Sequence, residues 1–315
     1  MNAKPIISHI LLPVDLSEGS RGAADVCSGL AKALAEALER VTILYVNPMS
    51  RFGRHIGYVD FRGEEATHDE QFRKVRDEHV RRDILPLMEQ AAGAIETAAP
   101  AVQVDRMIVD GDPAEEIVRV ADDGDYSVIV MATRGLSEIK RLFLGSVTNK
   151  VIGHAKCDVL AVPPGARFQS GTILVPTDGS PHSMVAAEQG VGLAKLFRAQ
   201  LIVISASPSG PQAALDLVEA EIPVDLVAAE GEKEAEQSAR AVLQLAKREG
   251  INARGLVLSG PPYSAIVDMA KEQGAGLIVM GSHGRSGIDK FLMGSVTERV
   301  LNLSSCPVLV VKTVH

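Results

Sequence analysis

Short, uniformly apolar runs alternate along this chain with longer segments in which apolar residues recur every three to four positions. Residues 128–131 (VIVM) and 277–280 (LIVM) are apolar throughout, which is typical of parallel strands covered on both faces. The segments between such runs have the helical period, as at Val26, Leu30, Leu34 and Leu38. Strands that alternate with helices predict a parallel sheet with helices on both sides.

The same order of elements occurs twice. In the first copy we predict strands at 41–46 and 102–109 and a long helix over roughly 75–98. In the second copy the corresponding strands are 201–206 and 254–258, and the long helix covers 231–248. Each copy begins with a strand that ends in an aspartate and closes with a short apolar strand. We therefore expect an α/β fold made of two tandem doubly wound domains.

Direct alignment of the two halves supports a duplication. HILLPVDLSEGS (9–20) matches TILVPTDGSPHS (172–183), so Asp15 corresponds to Asp178. Between 127–163 and 276–312, 15 of 37 positions are identical. The stretch 163–171 (PPGARFQSG) is rich in proline, glycine and polar residues, as interdomain linkers often are. We predict one domain over 1–164 and a second over 171–315.

The offset between the copies also locates an insertion. It is 163 at the first strand (178 − 15) and 149 near the end (284 − 135), so the first copy is longer by 14 residues. Most of the extra residues lie at about 49–75. Two interpretations stay open: a longer crossover packed on its own domain, or a lid or partner-docking segment.

Bulk composition excludes several classes of protein. The 315 residues carry a formal charge of −8, which argues against a nucleic-acid binder, since phosphate contacts need a basic excess. No apolar run approaches the roughly 20 residues of a membrane-spanning helix. The cysteines, Cys27, Cys157 and Cys306, are odd in number and far apart. We therefore expect a cytoplasmic protein without a membrane or nucleic-acid partner.

Near the end of each copy a glycine-rich loop follows an apolar strand. The second copy reads GSHGRSGIDKFLMGS (281–295) and the first ATRGLSEIKRLFLGS (132–146). Glycines after a buried strand let backbone N–H groups approach an anion, and a helix beginning near Gly294 adds unpaired N–H donors. Asp178, at the end of another strand, suits the nucleoside end of a ligand, and Arg285 and Lys290 could screen phosphate charge. His283 lies within this loop, where we expect a solvated side chain.

With these residues both halves resemble the universal stress protein family in its tandem, ATP-binding form. That branch is marked by a glycine, two residues, a glycine, nine residues and glycine-serine or glycine-threonine. The second copy matches in full at Gly281, Gly284, Gly294 and Ser295, whereas the first has Ala132 at the first position. The resemblance implies a five-stranded doubly wound domain in each half and pairing of the halves through their last strands, 159–162 and 308–311.

The resemblance also implies a ligand and its binding positions. The ligand would be ATP, or AMP or ADP, with Mg²⁺ as a possible companion. The second-copy positions are Pro176, Asp178, Ala206, Met280, Gly281, Gly284, Gly294, Ser295 and Val296. The first-copy positions are Asp15, Val46, Ala132, Gly135, Gly145 and Ser146. If the backbone at residue 132 needs a positive φ, the alanine costs about 1–3 kcal/mol; if it does not, the cost is near zero. We expect the second copy to bind more tightly and the first still to bind.

No P-loop, GxSxG or dinucleotide-binding signature occurs, and no catalytic or metal-ligating residue is predicted. The leading hypothesis is an adenine-nucleotide-binding stress-response protein that acts as a sensor or regulator. It pairs its two domains within one chain and could form a homodimer. A slow ATPase and a nucleotide-independent dimerisation scaffold are the alternatives.

Overall fold

The computed structural model describes residues 7–48, 73–135, 144–207, 224–284 and 293–313. Most of the predicted insertion at about 49–75 lies outside these residues, as do Arg285 and Lys290. In the first half the strands are β1 (His9–Val14), β2 (Arg40–Asn47), β3 (Gln103–Asp110), β4 (Val128–Ala132) and β5 (Asp158–Val162). In the second half they are β6 (Thr172–Pro176), β7 (Gln200–Ser207), β8 (Ala253–Ser259), β9 (Leu277–Gly281) and β10 (Val308–Val311).

In the described residues, helices connect these strands. They are α1 (Glu18–Leu34), α2 (Leu85–Ala98), α3 (Pro113–Asp123), α4 (Ser146–His154), α5 (Pro181–Phe197), α6 (Val224–Arg248), α7 (Pro262–Glu272) and α8 (Ser295–Leu303). Residues 73–79 are helical and lead through a π-helical turn, Val80–Ile84, into α2. The predicted strands and long helices are therefore present, each with bounds shifted by a few residues.

All ten strands form one sheet in the order β3-β2-β1-β4-β5-β10-β9-β6-β7-β8. Within each half every pairing is parallel, and β1 or β6 lies between the strand that follows it and the fourth strand of its half. The chain reverses its direction of winding at this point, and such switch points are where open α/β sheets bind ligands. The predicted doubly wound α/β fold is confirmed.

The two halves join through their last strands. β5 and β10 are antiparallel, and their register pairs Leu309 with Leu160 and Val310 with Val159. All four of these side chains are at most 2% exposed. The sheet core therefore continues across the seam, and the predicted pairing through the last strands is confirmed.

The core has one layer on each face of the sheet, because side chains alternate along every strand. Ile10 and Leu12 belong to the layer formed with α1, α2, α5 and α6. Leu11 belongs to the layer formed with α3, α4, α7 and α8. The four predicted helix-face residues, Val26, Leu30, Leu34 and Leu38, are all buried in the first layer.

One polar group is buried at the seam between the halves. The carboxylate of Asp158, at the start of β5, accepts the backbone N–H of Lys312 at 2.8 Å and the side-chain amide of Gln189 at 2.6 Å. Burial raises its pKa to about 6, although these hydrogen bonds and the charge of Lys312 act in the opposite direction. The Lys312 ammonium donates to the carbonyl of Ile152, and burial lowers its pKa.

This buried carboxyl group predicts a specific pH dependence. The folded-state pKa of Asp158 lies above its ordinary value of 3.8, so ionisation penalises the folded state above about pH 6. The penalty disappears as the pH falls from about 6 towards 3.8. We expect Asp158→Asn to remove this penalty. Between pH 7 and pH 4.5, the free energy of unfolding of the parent chain should rise by about 1–3 kcal/mol relative to the variant. Urea titrations of both chains at several pH values measure this difference, and parallel curves would contradict it.

Candidate functional site

A cavity lies in the second half at the carboxyl ends of β6, β7 and β9, where α7 and α8 begin. Its volume is about 270 Å³, close to the lower end of the range of roughly 300–1,000 Å³ typical of small-molecule sites. It is lined by Pro176, Thr177, Asp178, Ser183, Ile204, Ala206, Pro262, Ile266, Met280, Gly281, His283, Gly284, Gly294, Ser295, Val296 and Thr297. The nine second-copy positions assigned by the family resemblance are all among them.

Asp178 provides the carboxylate of this cavity. It lies two residues after the end of β6. Its Oδ1 accepts the backbone N–H of Ser180 at 3.0 Å, which anchors the side chain at the start of α5. Its Oδ2 lies against Gly284, where an added Cβ would be only 2.7 Å from the oxygen. A glycine at 284 therefore lets the loop pass close to the carboxylate. Any side chain at this position would displace the carboxylate.

Hydrogen bonds hold both ends of the glycine-rich loop in the sheet. The backbone N–H of Ser282 donates to Val311 on β10 at 3.2 Å, and that of Gly294 donates to Ser282 at 2.9 Å. The hydroxyl of Thr297, in the first turn of α8, donates to the carbonyl of Gly281 at 2.9 Å. The described part of the chain thus brings the two ends of the loop, and the first turn of α8, to one edge of the cavity.

The start of α8 can serve as an anion site. Gly294 is its N-cap in extended conformation (φ −61°, ψ 142°), and no side chain caps the helix. The first N–H groups of a helix have no partner within it, and the helix dipole places about half a positive charge there. With Ser295 adding a hydroxyl at the same place, this end of the cavity suits a phosphate group.

The remaining wall is apolar. Ile204, Ala206, Pro262, Ile266 and Met280 line it, and they come from two strands and from the start of α7. Such a wall suits a flat, uncharged ring, whereas the carboxylate and the loop amides suit the polar parts of a ligand. The arrangement can therefore hold a molecule with a ring at one end and an anion at the other.

His283 also lines the cavity, and here the expectation of a solvated side chain is wrong. It is half-buried: its Nδ1 lies 3.0 Å from the Ser282 hydroxyl, and its Nε2 is inaccessible to solvent and has no hydrogen-bond partner in the described residues. Its ring lies 5.5 Å, centroid to centroid, from that of His182, and Nδ1 of His182 is 2.7 Å from the Thr313 hydroxyl. The second half thus has an imidazole pair beside the loop, where the first half has Gly19 and Arg134.

The first half repeats the loop geometry. The carboxylate of Asp15 accepts the backbone N–H of Ser17 at 3.0 Å, and an added Cβ at Gly135 would lie 2.9 Å from its Oδ2. The N–H of Gly145 donates to Thr133 at 2.7 Å, as that of Gly294 donates to Ser282. Gly145 is likewise an extended N-cap, for α4, which begins at Ser146. Val46 is the penultimate residue of β2, as Ala206 is of β7.

Ala132, the one departure from the motif, lies in ordinary backbone conformation. Among the described non-glycine residues, positive φ occurs only at Asp125 and Arg198. Gly281, its counterpart, is also absent from the glycines with positive φ. The cost of about 1–3 kcal/mol expected for a positive φ at this position therefore does not apply.

The first half also has a polar network that has no counterpart among the described residues of the second. The hydroxyl of Tyr45, on β2, is 3.3 Å from Nε2 of His79, and Nδ1 of His79 is 2.9 Å from Asp83 in the π-helical turn. Hydrogen bonds from Arg82 and His79 lower the pKa of Asp83 to about 2. Burial, with the nearby charges of Asp15 and Asp83, raises the pKa of Tyr45. Ser205 takes the place of Tyr45 in β7, so the two halves differ beside their second strands.

Sequence reasoning missed seven residues of the second-half cavity or gave them no ligand role: Thr177, Ser183, Ile204, Pro262, Ile266, His283 and Thr297. Two signals could have found some of them. Gly260-Pro261-Pro262 marks a helix start after a strand, which places Pro262 at the same sheet edge. A threonine follows the Gly-Ser pair by two residues in both copies, Thr148 in the first and Thr297 in the second.

Within the described residues, every helix is too short or too polar to span a bilayer. The same residues contain no group of three or more His, Cys, Asp or Glu side chains placed to hold a metal ion.

Comparisons with known proteins agree with this architecture. The model of the universal stress protein family matches residues 7–163 and 170–312. A universal stress protein of Methanocaldococcus jannaschii is 36% identical over 140 residues, which cover 44% of this chain and 81% of that protein. One of Mycobacterium tuberculosis is 28% identical over 232 residues, 70% of this chain and 75% of that protein. The crystal structure of a universal stress protein from Archaeoglobus fulgidus has a TM-score of 0.68 at 26% identity, and the match covers 96% of this chain and 98% of that one.

Proposed function

Since the chain belongs to the universal stress protein family through both of its halves, we propose that it binds an adenine nucleotide in the second-half cavity and acts as a sensor or regulator. The observation that supports this most directly is the division of that cavity. It has an apolar wall, one carboxylate, and a glycine loop that meets an uncapped helix start. A nucleotide has a matching sequence of parts: a flat base, a ribose with hydroxyl donors, and phosphates.

Each part of the cavity has a proposed role. Ile204, Ala206, Ile266 and Met280 contact the base, and Asp178 accepts hydrogen bonds from ribose hydroxyls or a base amine. The backbone N–H groups at Gly281, Gly284 and Gly294, together with Ser295 and Val296 at the start of α8, bind the phosphates. Pro176 ends β6 beside the carboxylate. ATP is the proposed ligand. ADP and AMP, which have the same base and ribose but fewer phosphates, would occupy the same site.

Mg²⁺ has no protein site of its own in this proposal. The described residues contain no cluster of three suitable side chains, so the ion would arrive with the phosphate oxygens of the nucleotide. No residue is assigned a catalytic role. Contacts of the nucleotide with the glycine-rich loop at Gly281, Gly284 and Gly294 would change the surface that another protein, or a second copy of this chain, meets. Location in the cytoplasm and formation of a homodimer remain predictions.

Counting bound nucleotide tests the proposal. The purified chain is denatured, and the released nucleotide is identified and quantified, before and after incubation with ATP or AMP. Asp178→Ala removes hydrogen bonds to a charged group, each worth about 1.5–3 kcal/mol, so the second-half site should weaken about 10- to 100-fold. Asp123→Ala, which changes an exposed carboxylate on α3, is the matched control and should bind as the parent does.

The outcomes separate the hypotheses. Nucleotide that is released by the parent and by Asp123→Ala, but reduced by one equivalent in Asp178→Ala, supports the second-half site. No nucleotide, and no binding on addition, would overturn the proposal and leave a nucleotide-independent scaffold. Steady turnover of ATP that disappears with Asp178→Ala would instead indicate a slow ATPase.

A further inference from the structure

The seam between the two halves has two different ends. Because β5 and β10 are antiparallel, the start of each strand lies beside the end of the other. At one end the carboxylate of Asp158, the first residue of β5, accepts the backbone N–H of Lys312, which follows β10 directly. The side-chain amide of Gln189, on α5, donates to the other carboxylate oxygen. This end of the seam is therefore polar, and both of these donors come from the second half.

The other end of the seam is apolar. By the internal duplication each polar residue has a counterpart: Pro307 for Asp158 (158 + 149), Pro163 for Lys312 (312 − 149) and Val26 for Gln189 (189 − 163). A carboxylate, its N–H donor and its amide donor are thus replaced by two prolines and a valine. The two halves have the same fold, but their joining edges differ.

On apolar grounds alone, the duplication allows a second kind of seam. The register places Leu309 opposite Leu160, and these two residues are counterparts (309 − 149). The β5 strands of two chains could therefore pair with each other about residue 160, and the two β10 strands about residue 309. Residues 159–162 and 308–311 are all apolar and at most 2% exposed. Apolar burial therefore does not choose between pairing of like edges and pairing of unlike edges.

The polar residues do distinguish the two kinds of seam. In a β5–β5 seam the place of Lys312 would be taken by Pro163 of the other chain, and proline has no backbone N–H to donate to Asp158. The helix beside the carboxylate would be α1, which has Val26 in the place of Gln189. The half-buried carboxylate would lose both of these hydrogen bonds at each end of such a seam. Leaving an enclosed carboxylate without its donors is costly.

A β10–β10 seam has the complementary defect. Lys312 would lie beside Pro307 of the other chain, where the native seam has Asp158. Its ammonium donates to the carbonyl of Ile152, and the counterpart carbonyl, that of Leu301, could replace this bond. The carboxylate has no such replacement. Burial lowers the pKa of Lys312 and the charge of Asp158 acts in the opposite direction, so a β10–β10 seam would enclose the ammonium without its counter-charge.

We propose that Asp158, Gln189 and Lys312 determine which edge joins β5: they fit it to a second-half edge and disfavour pairing with another first half. Enclosed polar groups can contribute more to the choice of partner than to net stability. The seam is thereby kept between unlike halves, and two chains do not associate through like edges. A homodimer of this protein would use a different surface.

Disulfide trapping in the full chain reports which kind of seam forms. Directly opposed Cα atoms on antiparallel strands are about 4.5–5.5 Å apart, which suits a disulfide. Leu160→Cys therefore links two chains in a β5–β5 seam, whereas Leu160→Cys with Leu309→Cys closes the native seam. The three natural cysteines are replaced by alanine throughout. Each chain is refolded from urea at about 0.1–1 mM, near the effective concentration of linked domains, then oxidised and resolved on a non-reducing gel.

The decisive comparison is between the native seam and one that is apolar at both ends. Asp158→Pro, Gln189→Val and Lys312→Pro together give each position its counterpart residue. With the native seam we expect no more than a trace of Leu160→Cys dimer. With the apolar seam the dimer should increase about tenfold or more, because each hydrogen bond to a charged group contributes about that factor. Equal amounts of dimer from the two seams would overturn the proposal.

A seam that is weaker but still selective is the matched control. Val310 is 0% exposed in β10 and is present once per chain in either kind of seam, so Val310→Ala should weaken both kinds equally. The amount of Leu160→Cys dimer should then stay within about threefold of the native seam. If Val310→Ala produces as much dimer as the apolar seam, lost stability explains the dimer and the selective role of the polar residues is refuted.

Gln189→Val alone provides a second test that does not depend on refolding of the triple variant. It removes a donor from the native seam only, because a β5–β5 seam has α1 beside the carboxylate. The Leu160→Cys dimer should increase about tenfold. Glu188→Ala, at the exposed neighbouring position on α5, is its control and should leave the dimer at the native level. A folded Gln189→Val chain with no more dimer than Glu188→Ala would rule out the selective role of Gln189 and, with it, the proposal.

Discussion

Truncation of Leu309 to alanine is expected to lower the free energy of unfolding by about 2–5 kcal/mol, the usual cost of a leucine removed from a core. Leu309 is 1% exposed and lies in β10 opposite Leu160 of β5, at the seam between the halves. The loss would therefore affect both domains at once. Urea unfolding followed by circular dichroism measures it. Leu303→Ala, at a position 48% exposed on α8, is the control and should change the free energy by less than about 1 kcal/mol.

The pairing across the seam adds a sharper test. Leu160→Ala should destabilise by a similar amount, since Leu160 is 2% exposed and faces the same core layer. Because the two side chains are paired neighbours, the double variant should differ from the sum of the single changes by about 0.5–3 kcal/mol. Strict additivity, or two separate unfolding transitions in the parent, would mean that the halves do not share a core.

Alanine at Gly284 is expected to weaken nucleotide binding in the second half about tenfold or more while leaving the chain folded. The added Cβ would lie 2.7 Å from Oδ2 of Asp178. A carboxylate at the end of a side chain can move away, so the fold bears little cost. The displaced oxygen, however, can no longer meet the ligand. Titration with ATP gives the affinity, and thermal unfolding without ligand reports the stability.

Two matched substitutions test whether the loss of affinity is specific to position 284. Gly171→Ala, where nothing lies within 4 Å of the new atom, should leave affinity unchanged. Gly135→Ala, whose Cβ would lie 2.9 Å from Oδ2 of Asp15, should weaken only the first-half site. Unchanged ATP affinity in Gly284→Ala would show that Asp178 need not hold its position for binding.

The repeated order of elements in the two copies made much of the fold predictable. Asp15 and Asp178 end strands that are neighbours of the glycine-loop strands, and parallel strands bring such ends to one edge. The apolar runs located the strands, because a parallel strand covered on both faces is apolar throughout. The helical period located the helices. Nine of the 16 residues that line the second-half cavity were named in advance, but through the family resemblance and not from periodicity.

Other features depended on distances between residues far apart in the chain. His283 is half-buried with its ring 5.5 Å from that of His182, which lies about 100 positions earlier, and this could not be inferred from the loop alone. Asp158 is polar in the sequence, yet the seam buries it beside Lys312 and Gln189. The cost of Ala132 could not be decided either, because it depends on the backbone φ that the whole fold imposes at this position, and that φ is not positive.

The amino-acid sequence alone was enough to predict the duplication, the doubly wound α/β class, the order of the strands along the chain and the sheet edge at which Asp178 and Gly284 meet. These features follow from local periodicity and from repeated spacing, which can be read directly along the chain. The folded structure was needed to show that a Cβ at Gly281 would lie 2.9 Å from the backbone carbonyl oxygen of His182, whereas Ala132 keeps an ordinary backbone conformation. That outcome depends on tenths of an ångström between a strand end and a helix start, and packing at that scale is set by the whole core rather than by any segment.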